Sequence, residues 1–238
     1  MGKVICMKIG IICAMQEELD SIINALHLKY ERIEEKCFTV FKSSYLHHEL
    51  ICILSGIGKV NAAIHTQYIL DKFVIDCIIN VGVAGSLSKE LSFGDVVIAS
   101  DLVEHDVDVA AFDLPLGQIP RMDTFSFSSE KSLLDKVMLI QAQKYKIHLG
   151  RIVSGDQFID NKEKAEFISK HFGAVACEME GAAIAHVCHV NKIPFLVIRA
   201  LSDMAGCDDV ARHSFNELKD MASLRSAQLI KQLLDVIG

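Results

Sequence analysis

Short apolar, β-rich segments alternate with helical patterns along this 238-residue chain, and no other feature limits its fold as strongly. Residues 194–203 (PFLVIRALSD) are apolar almost without interruption, which is typical of a strand covered on both faces. Strands are predicted at 8–15, 49–56, 76–85, 94–100, 147–155 and 194–203, and helices at 17–27, 59–73, 128–146, 161–172 and 213–237. This order predicts a single layered α/β domain.

Composition and charge argue against several classes of protein. The net charge is -7 and no run of Lys or Arg occurs, so neither a nucleic-acid partner nor a membrane surface is expected. No apolar run has the length of a transmembrane helix. The apolar run after Lys8 is short and no small-residue cleavage site follows it, so it predicts a strand rather than a secretion signal.

Eight cysteines are scattered without a regular spacing, at 6, 13, 37, 52, 77, 177, 188 and 207. Several lie within apolar segments, where free thiols are common, so a reducing cytoplasm is expected and disulfides are not. The segment HVCH (186–189) has no second ligand pair at a matching spacing, and a metal site is therefore not predicted.

Ligands of layered α/β folds bind beyond the carboxyl ends of the strands. This rule selects residues 15–18, 55–59, 82–86, 154–160, 177–180 and 202–203. Three of these segments carry carboxylates, namely Glu17 and Glu18, Glu178 and Glu180, and Asp203. A single acid is explained by a helix N-terminus, which it stabilises, but three such segments favour one shared pocket.

Paired carboxylates in one pocket suit acid–base cleavage of a glycosidic bond, in which one protonates the leaving group and another activates water. Asp203 follows an apolar strand and is the natural candidate for the protonated acid. The glycine segments SGIGKV (55–60) and VGVAGS (81–86) match neither known phosphate-binding spacing, so they are a weak sign of phosphate binding, and close chain approach at a strand end is the alternative. Phe158 lies in a loop and either stacks on a base or packs in the core.

The chain resembles the 5'-methylthioadenosine/S-adenosylhomocysteine nucleosidases of the purine nucleoside phosphorylase superfamily. The resemblance runs from about Met7 to the C-terminus, through KIGIICAMQEEL, SGIGKVNAA, DCIINVGVAGSL, GDVVIASD, HDVDVAAF, GRIVSGDQFI, CEMEGAAIAHVCH, PFLVIRALSD and HSFNEL. It implies a three-layer α/β/α fold with a central mixed, twisted sheet flanked by helices. The expected domain spans 1–238, with residues 1–6 as a flexible N-terminal extension.

The resemblance also implies roles at the reacting bond. Glu18 would be the general base for the attacking water, and Asp203, positioned by Ser202, would donate a proton to N7 of adenine. Glu180 would bind the ribose hydroxyls, with Met179 packed below the sugar. The neighbouring carboxylate at position 178 would hold other residues rather than substrate.

Further binding positions follow from the same resemblance. Phe158 would stack on adenine, and the backbone of Ile159 would bind the edge of the base. Arg199 would lie on the ribose side of the pocket. Val83 occupies a position that usually carries serine in the family, so a hydroxyl near the sugar and the water is absent here. The other pocket residues would be Gly85 in the same segment and, around the 5'-alkylthio group, Met15, Ile57 and Phe215.

The implied activity is hydrolysis that releases adenine and a 5-thio-substituted ribose, with no cofactor. A partner subunit of a homodimer would complete the pocket with Val109, Phe112 and Pro120. Three alternatives stay open: a phosphate-dependent phosphorylase, a nucleosidase acting on aminodeoxyfutalosine, and a non-catalytic nucleoside-binding protein. The phosphorylase needs cations, and only Lys59 and Arg199 lie near the glycine segments. The binding protein would lack the acid or the base, yet both are present.

Overall fold

The computed structural model describes the backbone of residues 6–206 and 209–237 and the side chains of residues 6–206 and 218–237. The strands are β1 (Lys8–Cys13), β2 (Tyr30–Glu35), β3 (Phe38–Tyr45), β4 (His48–Leu54), β5 (Cys77–Ser86), β6 (Val96–Glu104), β7 (Phe127–Ser128), β8 (Ile147–Ser154), β9 (Ala174–Glu178) and β10 (Phe195–Met204). The helices are α1 (Gln16–Leu26), α2 (Lys59–Lys72), α3 (Lys131–Val137), α4 (Lys162–Phe172), α5 (Gly181–Asn191) and α6 (Asp209–Val236).

The strands form one mixed sheet in the order β10-β6-β8-β9-β5-β1-β4-β3-β2, with β7 paired to β6. Strand β10 also pairs with β5, so β5, β9, β8, β6 and β10 close into a ring. Pairings such as β1 with β5 are parallel, whereas β10 with β6 is antiparallel. The predicted single-domain mixed sheet flanked by helices is confirmed.

Helices cover the sheet on both faces, which explains why most residues of β10 are apolar on both faces of the strand. Its residues Leu196 and Ile198 pack in a core with α1, α3 and α6. The intervening Val197 and the flanking Phe195 and Leu201 pack in a second core with α2 and α5. Successive side chains of a strand point to opposite faces, so a strand between two helical layers needs apolar residues at every position. A third core lies under α4.

Several features differ from the sequence prediction, which did not include α5 or β7. The hairpin of β2 and β3 was not predicted, because β2 is a largely exposed edge strand whose sequence, YERIEE, has no continuous apolar face. The helix predicted over 128–146 is wrong beyond Val137, where α3 ends. Lys146 donates its backbone N–H to Asp95 Oδ1 at 2.9 Å and its carbonyl accepts from Val96. These tertiary hydrogen bonds require an extended chain leading into β8.

Residues 1–5 of the predicted N-terminal extension lie outside the described residues. Cys6 is described, and its side chain is exposed just before β1. Cys13, Cys52, Cys77, Cys177 and Cys188 are buried free thiols, and Cys207 lies outside the described residues. Burial raises the pKa of Cys52 to about 12.

In the described part of the chain, no helix is both long enough and apolar enough to cross a bilayer.

Candidate active site

A cavity of about 220 Å³ opens where the carboxyl ends of the strands meet. All six segments selected from the sequence contribute residues to its wall. The predicted positions that line it are Met15, Glu18, Ile57, Val83, Gly85, Phe158, Ile159, Met179, Glu180, Ser202 and Asp203. The structure thus brings these positions together around one space, as the strand-end rule predicts.

Glu18 is held by backbone amides at the turn between β1 and α1. Its Oε2 accepts hydrogen bonds from the N–H groups of Ala14 at 2.9 Å and Met15 at 3.0 Å, and its Oε1 accepts from Val83 N–H at 3.1 Å. A Cβ on Gly82 would lie 2.7 Å from Oε1, so this approach requires a glycine. The contact to Val83 is made by the backbone and does not depend on its side chain.

The Glu18 carboxyl is 3% exposed. Burial raises its pKa, and the opposing charge of Arg199 and the three backbone hydrogen bonds lower it again only in part. The group is therefore oriented, and it binds a proton more firmly than an exposed glutamate does. A carboxylate of this kind suits a general base.

Asp203 lies at the end of β10, just after a bulge in its pairing with β5. Ser202 donates its hydroxyl to Oδ1 at 2.8 Å, while Oδ2 faces Gly85, where a Cβ would lie 3.0 Å away. Burial raises the pKa of Asp203, and the hydrogen bond from Ser202 lowers it by less. A buried aspartate that favours its protonated form suits a general acid.

Glu180 and Glu178 lie at the junction of β9 and α5 and have different partners. Glu180 lines the cavity, and its Oε1 accepts the N–H of Gly58 at 2.8 Å. Burial raises the pKa of Glu180, and the charge of Glu178 raises it further.

Glu178 accepts hydrogen bonds from the backbone N–H of Glu180 at 3.1 Å and of Gly181 at 2.8 Å, and from the Ser154 hydroxyl. Arg199 adds bonds from Nε, at 3.1 Å, and from Nη2. Glu178 thus serves as the anchor of the turn that presents Glu180, which agrees with the expectation that it holds other residues.

Arg199, which the resemblance places on the ribose side of the pocket, is not among the residues that line the cavity. Its side chain is 1% exposed and lies behind Glu178, with Nη2 also 2.5 Å from Asn80 Oδ1. Asn80 donates in turn to the carbonyl of Ile12 at 2.9 Å. The guanidinium is bound by strand residues because β10 places it between β5 and β9.

Four other predicted positions are not in the described cavity. The side chain of Phe215 lies outside the described residues. Val109, Phe112 and Pro120 lie in the connection after β6 and do not line the cavity, and Phe112 is 79% exposed.

Sequence reasoning missed several residues of the cavity and its support. Ala14, Gln157, Cys177 and Ala205 also line the wall. Two supporting residues have sequence features that could have identified them. Asn80 is a polar residue within an apolar strand, and Gly58 belongs to the glycine segment SGIGKV.

Among the described residues, no group of three or more His, Cys, Asp or Glu side chains is arranged to hold a metal ion. His186 and His189 of the HVCH segment instead contact carboxylates, Glu104 at 3.3 Å and Asp123 at 3.2 Å.

The arrangement supports acid–base chemistry on a bound molecule of moderate size. The carboxyl groups of Glu18, Glu178, Glu180 and Asp203 all lie at one mostly apolar cavity. Because these groups are almost fully removed from water, charges that develop beside them interact strongly with them.

Comparisons with known proteins agree on one family. The sequence profile of the phosphorylase superfamily matches residues 8–237. A 5'-methylthioadenosine/S-adenosylhomocysteine nucleosidase of Staphylococcus aureus (strain JH9) is 41% identical over 228 residues, which cover 95% of this chain and 98% of that protein. An enzyme of the same name from S. pneumoniae, solved with a transition-state inhibitor, has a TM-score of 0.91 at 38% identity, covering 98% of this chain and 100% of that chain. Futalosine hydrolase of Helicobacter pylori has a TM-score of 0.91 at 36% identity, covering 96% and 97% of the two chains.

Replacing Glu180 with glutamine should stabilise the folded protein. Because the folded-state pKa of Glu180 is raised, its ionised form opposes folding, and this penalty grows as the pH rises from the unfolded to the folded pKa. Glu180→Gln should therefore raise the urea midpoint at about pH 9 and have little effect near about pH 4. The exposed Glu166→Gln on α4 is the matched control. A midpoint lowered by Glu180→Gln at the higher pH would contradict the assignment.

Proposed function

This chain belongs to the phosphorylase superfamily and, within it, to the 5'-methylthioadenosine/S-adenosylhomocysteine nucleosidase family, and we propose that it hydrolyses the N-glycosidic bond of these two nucleosides. The products are adenine and the 5-thio-substituted ribose. The observation that carries the proposal is that Glu18 and Asp203, both buried and both with a raised pKa, line one cavity.

Glu18 is the proposed general base. Its ionised carboxylate accepts a proton from water as the water attacks the anomeric carbon. The three backbone N–H groups fix the direction of its oxygens, so the acceptor is in place before substrate binds.

Asp203 is the proposed general acid, which gives its proton to N7 of the departing adenine. Protonation at N7 lets adenine depart as a neutral molecule, so no negative charge develops on the adenine ring. The hydroxyl of Ser202 fixes Oδ1, which leaves Oδ2 for the transferred proton.

Glu180 is proposed to bind the ribose hydroxyls through charge-assisted hydrogen bonds, with Met179 below the sugar. Its negative charge also favours the oxocarbenium-like transition state. Phe158, 44% exposed at the cavity wall, stacks on adenine in this proposal, and the backbone of Ile159 binds the edge of the base. Met15, Ile57 and Phe215 surround the 5'-alkylthio group.

Lys59 and Arg199 are the two cations that could bind phosphate, and their contacts favour hydrolysis over phosphorolysis. Lys59 Nζ lies 2.8 Å from Glu104 Oε2 and 2.6 Å from Asp106 Oδ1. Arg199 is occupied by Glu178 and Asn80. Neither is available to neutralise a phosphate dianion.

A second candidate substrate is aminodeoxyfutalosine, since the solved futalosine hydrolase of H. pylori is equally similar in fold. Adenine would be bound in the same way, and the two candidate substrates differ only in the 5' substituent.

We further propose a role in methionine salvage, in the cytoplasm, where buried free thiols such as Cys13 and Cys188 stay reduced.

Adenine release from methylthioadenosine in phosphate-free buffer tests the proposed function. We expect free 5-methylthioribose and a rate that added phosphate does not change. A rate that requires phosphate would identify a phosphorylase, and release only from aminodeoxyfutalosine would identify the second substrate. Binding of methylthioadenosine without release of adenine from any of these nucleosides would identify a binding protein.

Glu18→Gln and Asp203→Asn should each lower kcat by roughly a hundredfold to ten-thousandfold, because each removes one proton-transfer group. Glu17→Gln is the matched control, since Glu17 neighbours Glu18 in sequence but pairs with Lys219 at 2.7 Å outside the cavity. Circular dichroism should show the same fold in all three variants. A near-native rate in either cavity variant would contradict the mechanism.

We also propose that the enzyme is a homodimer in which Val109, Phe112 and Pro120 of one subunit complete the pocket of the other. The exposed phenyl ring of Phe112 supports this proposal, because a large apolar side chain in water is more stable in an interface. Light scattering should give twice the mass of one chain, and Phe112→Ala should raise KM. A monomer at micromolar concentration would contradict the shared pocket.

A further inference from the structure

A group of charged side chains lies beside the cavity and is not explained by the proposed chemistry. Lys59, Glu104, Asp106 and His186, here called the Lys59 cluster, join α2, the end of β6 and α5. The ammonium of Lys59 lies within 2.8 Å of both carboxylates, and His186 Nδ1 is 3.3 Å from Glu104 Oε1. The side chain of Lys59 is only 15% exposed, so its charge is largely removed from water.

The Lys59 cluster is connected to two loops of the cavity by a closed circuit of hydrogen bonds. Asp106 Oδ2 accepts the backbone N–H of Asp156 at 3.0 Å. Asp156 Oδ1 in turn accepts the backbone N–H of Lys59 at 2.8 Å. The circuit therefore runs from the Lys59 ammonium through Asp106 and Asp156 back to the Lys59 backbone.

The first of these loops is residues 55–58 and the second is residues 155–161. Each carries a group that faces the proposed substrate site. Gly58, directly before Lys59, donates its N–H to Glu180 Oε1 at 2.8 Å. Phe158, two residues after Asp156, lines the cavity. A displacement of either loop would move one of these two groups.

The first loop is held locally by Asn61, which donates to the carbonyl of Ile57 at 2.7 Å, and by Ser55, whose N–H donates to the carbonyl of Cys13 at 2.8 Å. The bonds of the Lys59 cluster connect it to the second loop. Gly56 and Gly58 have φ values of +80° and +99°, a conformation that other residues adopt at a cost, and Ile57 between them is 53% exposed. Helix α2, which begins at Lys59, has no acidic residue in its first turn and no side-chain cap from Gly58. Asp156 supplies the missing carboxylate from the second loop, where the helix dipole favours it.

Lys59 remains charged in this environment. Burial alone would lower its pKa, but the hydrogen bonds and charges of Asp106 and Glu104 outweigh burial and raise the pKa above its usual value. The carboxylates of Glu104 and Asp106 accept two of the three N–H donors of the ammonium and offset its charge. This arrangement indicates a positioning role.

We propose that Lys59 is a positioning residue that, through Asp106 and Asp156, holds both cavity loops so that Gly58 stays on Glu180 and Phe158 stays at the cavity wall. The consequence for catalysis rests on the proposed nucleosidase function, whereas the loop tethering does not. Loops that contact ribose and base act on the substrate and the transition state alike, so their displacement raises KM more than it lowers kcat.

Lys59→Met removes the ammonium and keeps the length of the side chain. We expect kcat/KM for methylthioadenosine to fall roughly 10- to 100-fold, mostly through KM, because the loss acts by misplacement rather than by removing a reacting group. Lys59→Arg, which keeps the charge, should recover part of the loss. Lys72→Met is the matched control, since Lys72 pairs with Glu35 at 2.7 Å near the β2–β3 hairpin.

A double-mutant cycle and hydrogen exchange separate positioning from general destabilisation. If Lys59 acts on Glu180 through Gly58, the effects of Lys59→Met and Glu180→Gln on KM will be less than additive. The backbone amides of Gly58, Lys59 and Asp156 should exchange faster in Lys59→Met, with other amides unchanged. Asp106→Asn, a smaller change, should show the same local pattern if Lys59→Met fails to fold.

Unchanged exchange at these three amides, or an unchanged KM in a Lys59→Met enzyme whose parent is active, would overturn the proposal. Additive effects in the cycle would exclude the connection through Glu180. If the native protein releases no adenine, the proposed function fails, and the exchange rates still decide whether the Lys59 cluster tethers the loops.

Discussion

The ion pair of Arg199 and Glu178 is the interaction on which the rest of the site depends. Two charges that are almost fully removed from water cost several kcal/mol each unless further hydrogen bonds compensate them. Here Asn80 shares the guanidinium, while Ser154 and the N–H groups of Glu180 and Gly181 share the carboxylate. These partners come from β5, β8, β9, β10 and α5, so the ion pair joins most of the strands whose ends form the cavity.

Burial, together with the single buried cation, explains the raised pKa values of the cavity carboxyl groups. Glu18, Glu178, Glu180 and Asp203 are all buried, whereas Arg199 is the one buried Lys or Arg among the side chains of residues 6–206 and 218–237. One cation does not compensate four carboxylates, and Arg199 is committed to Glu178. Burial therefore raises the pKa values of the remaining three groups, and the charge of Arg199 offsets this only in part at Glu18 and Glu180. The raised values lower the stability of the fold at neutral pH and suit a site that exchanges protons.

Close packing of backbone and carboxylates gives these groups their directions. Gly82 lets Glu18 reach the sheet, and Gly85 leaves room for Asp203 Oδ2. The amides of Met15 and Val83 then hold Glu18, and the hydroxyl of Ser202 holds Asp203. A serine hydroxyl at position 83 is not needed to orient Glu18, because the contact is made by the backbone N–H of Val83.

The sequence by itself determined the layered α/β fold, the strand ends that form the cavity, and the carboxylates in it. The hydrophobic pattern of β10 indicates that both of its faces are covered. The rule that ligands bind beyond the carboxyl ends of the strands then selects Glu18, Glu180 and Asp203. These inferences succeed because burial and strand direction are local properties of the chain.

Only the tertiary structure decided the partners of those groups. The extended chain that leads into β8 is fixed by the bond between Lys146 and Asp95, and β2 pairs with the backbone of β3. Arg199 contacts Glu178, which lies 21 residues away in the chain, and Lys59 contacts Asp106 across 47 residues. These contacts join segments that are far apart in the chain, and the sequence pattern of one segment does not identify its partner. They form only when the sheet brings the segments together.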